Sequence, residues 1–95
     1  MEIYYLQCTY DKRQSFYGKA QIIYTQNKNV EDYQLMSYNT IVARYTKIGG
    51  IKTYYYFGKY SQTTTRHQKE FFKQNGLTDS EIKELFKNGE MVKEV

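Results

Sequence analysis

The sequence has few of the residues that staple or punctuate a small domain. Its single cysteine, Cys8, excludes an internal disulfide framework and any zinc site built on several thiolates. Proline is absent and glycine occurs only six times, which is unusual for a chain whose pattern is mostly extended. No run approaches the ~20 apolar residues of a membrane span. The opening Met1-Glu2-Ile3-Tyr4-Tyr5 also lacks the basic head and apolar body of a signal peptide, so the expected location is the cytoplasm. There is no G-x-G-x-x-G, no phosphate-loop lysine motif and no helical pair of histidines, so neither a cofactor nor a metal is expected. Between Asp32 and Glu70 no acidic side chain occurs at all.

What is present fits one module. Ninety-five residues, 40% of them hydrophobic, suffice for a single core and a single domain over 1–95. The net charge of +4 is unevenly spread. Residues 1–76 hold eleven Lys/Arg against five Asp/Glu, while residues 77–95 hold three against five. The acid-free window carries Arg44, Lys47, Lys52, Lys59, Arg66 and Lys69, together with seven of the twelve tyrosines. Interleaved cations and flat rings suit phosphate attraction and base stacking. They equally suit a plain sheet, in which tyrosine forms strands and lysine keeps the edges unpaired.

Along the chain, Ile3–Tyr10 reads as a strand, Asp11–Ser15 as a turn and Phe16–Thr25 as its antiparallel partner. After a loop at Gln26–Asn29, Tyr33–Met36 leads into a strand over Ser37–Lys47. Gly49-Gly50 turns that strand back into Ile51–Tyr60. Ser61 to Thr65 supply hydroxyls for a helix start, predicting a helix over about 63–75 that Gly76 ends, with Glu70 able to pair with Arg66 or Lys73. Thr78 and Glu81 form a capping box for a second helix over about 79–88, stopped by Asn88-Gly89. Glu90–Val95 is a frayed tail or a last turn. The fold expected is α+β: an antiparallel sheet of about four strands in two hairpins, 3–25 and 37–60. Two C-terminal helices cover one face through Phe71, Phe72, Leu85 and Phe86.

Catalytic candidates are sparse. Cys8 in a strand reads as packing, and His67 near a helix start reads as a local hydrogen-bonding or partner-contacting group, so no enzyme is expected. The first turn of the first helix, with Thr63 to Thr65 and Arg66, reads either as simple capping or as an anion site.

The stretches Ser37-Tyr38-Asn39-Thr40-Ile41-Val42-Ala43 and Tyr60-Ser61-Gln62-Thr63-Thr64-Thr65-Arg66-His67 carry a resemblance. They resemble a family of small uncharacterised proteins of bacteriophages and mobile elements, with an S-Y-x-T-x-V-A strand and a Y-S-x-T-T-x-R-H helix start. The resemblance covers about residues 36–75 and implies a setting more than a mechanism. Two functions follow as expectations. One is a non-enzymatic inhibitor that blocks a host defence nucleoprotein of the CRISPR-nuclease type. The other is a stand-alone DNA- or RNA-binding accessory protein. For either, the expected contact residues are Arg44, Lys47, Lys52, Tyr54, Tyr56, Lys59, Thr64, Arg66, His67 and Lys69, in a monomer or a homodimer, with no membrane contact.

Overall fold

The computed structural model describes residues 1–13 and 15–94. Gln14 of the expected turn and Val95 of the expected tail lie outside them. The architecture is α+β, but the sheet has six strands where about four were expected. They are β1 (Glu2–Tyr5), β2 (Ala20–Asn27), β3 (Val30–Ser37), β4 (Thr40–Ile48), β5 (Ile51–Tyr56) and β6 (Glu90–Glu94). All neighbours are antiparallel, and the spatial order is the chain order. The helices α1 (Gln62–Gln74) and α2 (Asp79–Asn88) lie between β5 and β6 in the chain and pack on one face of the sheet. No helix among the described residues is long and apolar enough to cross a membrane.

One expectation fails at a turn. Ser37–Lys47 is not a continuous strand: the chain turns at Tyr38-Asn39, with Tyr38 at φ 58°, so the preceding residues form the separate strand β3. Lys28, at φ 53°, begins the tight turn between β2 and β3 in the same way. The Lys28 turn falls inside the expected loop at Gln26–Asn29, whereas the Tyr38-Asn39 turn lacks a glycine, the usual residue for positive φ, and was not expected. The first strand is also shorter than Ile3–Tyr10: residues 6–13 and 15–19, the described parts of the 6–19 loop, form no strand. The tail is not frayed. Met91 packs against the core and Val92 points the other way, the period-two alternation of a strand pairing with β5.

Cross-strand register decides which rings are interior. Tyr24, Tyr33, Tyr45 and Tyr54 occupy one row across β2 to β5. Their ring centroids are 4.7, 5.5 and 4.8 Å apart in turn, and Tyr54 then meets the edge of Phe72 on α1. Such cross-strand aromatic pairs are the unit of sheet stabilisation. Phe71, Phe72, Leu77, Ile82 and Leu85 close the core from the helix side, while Phe86 is half-buried and stacks on Tyr56. The caps are those expected. Ser61 Oγ accepts from Thr64 N–H at the start of α1, and Thr78 and Glu81 form a complete capping box on α2.

The opposite face of the sheet is uncovered. Ile3, Tyr5, Ile48, Ile51, Phe57 and Val92 are exposed there, and its centre holds Arg44 in a bidentate pair with Asp32 at 2.9 and 3.0 Å.

Candidate nucleic-acid interface

The inner side of α1 is unusually polar. His67, Gln68 and Glu70 are all buried, and each has an identifiable duty. Gln68 donates to the carbonyls of Val42 and Gly58. Glu70 forms neither expected helical pair. Its Oε1 accepts the backbone N–H groups of Tyr10 and Asp11 at 2.8 and 2.7 Å, and its Oε2 accepts from Gln74. This carboxylate ties the 6–19 loop down onto α1. Arg66 instead makes a bidentate pair with Asp11, at 2.7 and 3.1 Å. The hydrogen bond from Arg66 holds the Asp11 carboxyl well below the usual carboxylate range, at about 2, with burial opposing it.

His67 Nδ1 and Ser37 Oγ lie 2.8 Å apart, and Ser37 Oγ lies 2.9 Å from Thr64 Oγ1, so three side chains pin β3 to α1. Burial pushes the imidazole pKa below its ordinary value, with Asp11 opposing and Arg66 reinforcing, which leaves the ring neutral at physiological pH. Ser37 is 2% exposed, which suits a structural pin. Cys8 packs at the margin of the core, and burial, followed by Asp11 and Glu70, raises its pKa away from the reactive thiolate.

The ten sequence-selected residues do not form one surface. Tyr54 is 1% exposed and Tyr56 lies against Phe86, because period-two alternation turns both toward the helices and only Tyr55 outward. A stacking platform of Tyr54, Tyr55 and Tyr56 is therefore not what the second hairpin presents. Thr64 and His67 are interior. Arg44 sits on the uncovered face, paired with Asp32 and 5.6 Å from the Tyr55 ring. Lys47 and Lys52 are cross-strand partners on the helix-facing side, next to Lys93 and toward the Gly49-Gly50 turn. Lys59 and Lys69 do come together, lining a groove of about 510 Å³ with Tyr56, Ile82 and Phe86.

A different constellation assembles on the outer side of α1. Arg66, Lys69 and Lys73 follow the i, i+3, i+7 spacing of one helical stripe. The loop brings Lys12, Arg13 and Lys19 alongside it, and Arg66 lines the concavities on both sides of that junction. Among the described residues, Lys12, Arg13, Lys19 and Lys69 have no ion-pair partner. Tyr10, Tyr17, Tyr38 and Tyr60 are all at least half exposed. Sequence reasoning missed most of these residues. The available signal was the cationic stripe on α1 and the basic pair after Asp11, but only the Glu70 and Arg66 contacts bring the two segments together.

The profile of a family of unknown function, DUF8033, matches residues 4–88. The chain belongs to that family. The matched span runs from the second half of β1 to the end of α2, well beyond the 36–75 stretch that carried the sequence resemblance. No curated protein and no solved structure matches the chain.

Proposed function

We propose that this chain is a non-enzymatic binding module from a bacteriophage or mobile element, acting in the cytoplasm of the bacterial host. It holds single-stranded nucleic acid across α1 and the 6–19 loop. The observation that carries the reading is that unpaired cations and exposed tyrosines share one side of the molecule. Cations attract the phosphate backbone without reading sequence, and exposed rings stack unpaired bases. The resemblance of the Ser37–Ala43 and Tyr60–His67 stretches to phage proteins supports the setting.

The uncovered sheet face supports a second reading, the block of a host defence nucleoprotein. That face is apolar and carries the neutralised Arg44–Asp32 pair, which suits a protein surface better than a polyanion. In this reading the α1 face meets the guide RNA while the uncovered face meets protein.

Fluorescence anisotropy with a labelled single strand tests the nucleic-acid reading. Contact with about five phosphates makes affinity fall roughly a hundredfold between 50 and 200 mM salt. Lys69→Ala weakens binding to all base sequences alike and reduces the salt slope by about 1, whereas Lys52→Ala leaves it unchanged. Absence of binding, or binding indifferent to salt, overturns this reading and leaves the protein-partner one.

A further inference from the structure

A pocket of about 210 Å³ opens between the first turn of α1 and the 6–19 loop. We infer that it takes a phosphate monoester, the charged end of a mononucleotide or of a nucleic-acid strand. The inference deepens the nucleic-acid reading of the same face and rests on it for the source of the phosphate.

Four observations converge on this ligand. First, the lining includes Arg13, Lys19 and Arg66 and no carboxylate. Asp11 neutralises Arg66 from the neighbouring side, so two uncompensated positive charges remain, matching the near-dianion that a monoester forms at neutral pH. A carboxylate or an internal phosphodiester carries only one charge.

Second, α1 begins at the pocket. Thr63 lines it, and the Thr64 and Thr65 N–H groups are already satisfied by Ser61 Oγ and Ser61 O. The N–H groups of Gln62 and Thr63 have no acceptor among the described residues. Free amides at a thirteen-residue helix start are donors to an anion.

Third, His67 lines the same pocket although the residue is 0% exposed, and its Nε2 has no hydrogen-bond partner. An orphaned buried nitrogen is costly unless something completes it. Ser37 holds Nδ1 on the sheet side, and the two ring nitrogens point in nearly opposite directions, so Nε2 is directed away from β3. A relay in which Thr64 donates to Ser37 and Ser37 donates to Nδ1 puts the proton on Nε2, a donor to a phosphate oxygen.

Fourth, Tyr17 and Tyr38 are exposed and also line the pocket, flat surfaces for the sugar or base attached to the phosphate.

The test compares short oligonucleotides bearing a 5′-phosphate or a 5′-hydroxyl, and uridine 5′-monophosphate against uridine, using protein labelled with ¹⁵N at histidine. The phosphorylated ligands bind about tenfold tighter than their unphosphorylated counterparts, as expected for added charge-assisted bonds. Arg13→Ala and Lys19→Ala remove that gain, and the His67 Nε2 resonance moves on saturation. Equal affinity for both strand ends, with no movement at His67, overturns the inference and leaves the nucleic-acid reading standing. Binding of uridine 5′-monophosphate with movement at His67, but of neither strand, upholds the pocket and overturns that reading. Binding of none of the four ligands overturns both.

Discussion

Tyr54→Ala costs the domain about 3–5 kcal/mol of stability, the range for truncating a buried aromatic ring. The ring is 1% exposed and stacks on Tyr45 with centroids 4.8 Å apart. It meets Phe72 on α1, and its hydroxyl donates to the Asn75 carbonyl at 2.7 Å where α1 ends. The change therefore opens a cavity in the tyrosine row and also frees the C-terminus of α1. A domain of this size has only roughly 5–15 kcal/mol to lose. Urea unfolding followed by circular dichroism measures the loss. Tyr54→Phe, which keeps the ring and drops the hydroxyl, costs about 1 kcal/mol. Tyr17→Ala, at 77% exposure, changes stability by less than about 0.5 kcal/mol. A Tyr54→Ala protein as stable as the parent contradicts the placement of that row in the core.

Glu70→Ala loosens the loop that carries half of the proposed interface. The carboxylate is 2% exposed and is the acceptor for two backbone N–H groups sixty and fifty-nine residues away in the chain. Hydrogen bonds to a charged group contribute about 1.5–3 kcal/mol each, so the loss is about 3 kcal/mol even after water replaces part of the contact. For a domain of this length that lowers Tm by roughly 12–24 °C. Amides of residues 9–12 lose hydrogen-exchange protection, and affinity for single-stranded nucleic acid falls with them, because Lys12, Arg13 and Lys19 no longer sit beside Arg66. Retention of both loop protection and affinity contradicts the anchoring role. The Arg44–Asp32 pair on the uncovered face offers a contrast. It lies across the sheet from the loop and α1, so Asp32→Asn leaves both loop protection and affinity unchanged.

Local chemistry made the helices legible. Ser61, Thr78, Glu81 and Gly89 announce their ends through caps that depend on residues three or four apart, and the observed bounds differ from those expected by one residue at most. The Gly49-Gly50 turn was legible for the same reason, although β5 ends at Tyr56 and not at the expected Tyr60. The third strand was not, because Tyr38 adopts positive φ where a glycine or asparagine is usual, and because Glu31 on its helix-facing row and Met36 after the bulge break the hydrophobic alternation. β6 was hidden differently. Its five residues are extended only because β5 waits across two helices, a non-local pairing that no window around Glu90–Glu94 contains.

The candidate site divides along the same line. Arg66, Lys69 and Lys59 were identified from the acid-free window, but charge composition does not state which face a cation occupies. Tyr54, Thr64 and His67 have the chemistry of contact residues and the burial of core residues. Lys12, Arg13, Lys19 and Tyr17 join the site through the Glu70–loop and Arg66–Asp11 contacts, between residues nearly sixty positions apart, and these depend on the tertiary fold.

The central claim is that polyanions meet the α1 and loop side and leave the uncovered sheet face free. Backbone amide chemical-shift mapping during titration with a single-stranded oligonucleotide tests it directly. The account predicts shifts concentrated at residues 10–13, 15–19, 38 and 59–73, with the β3–β5 residues Gln34, Arg44 and Tyr55 still. Shifts centred on Arg44, Tyr55 and Ile51, with the loop and α1 unmoved, contradict it.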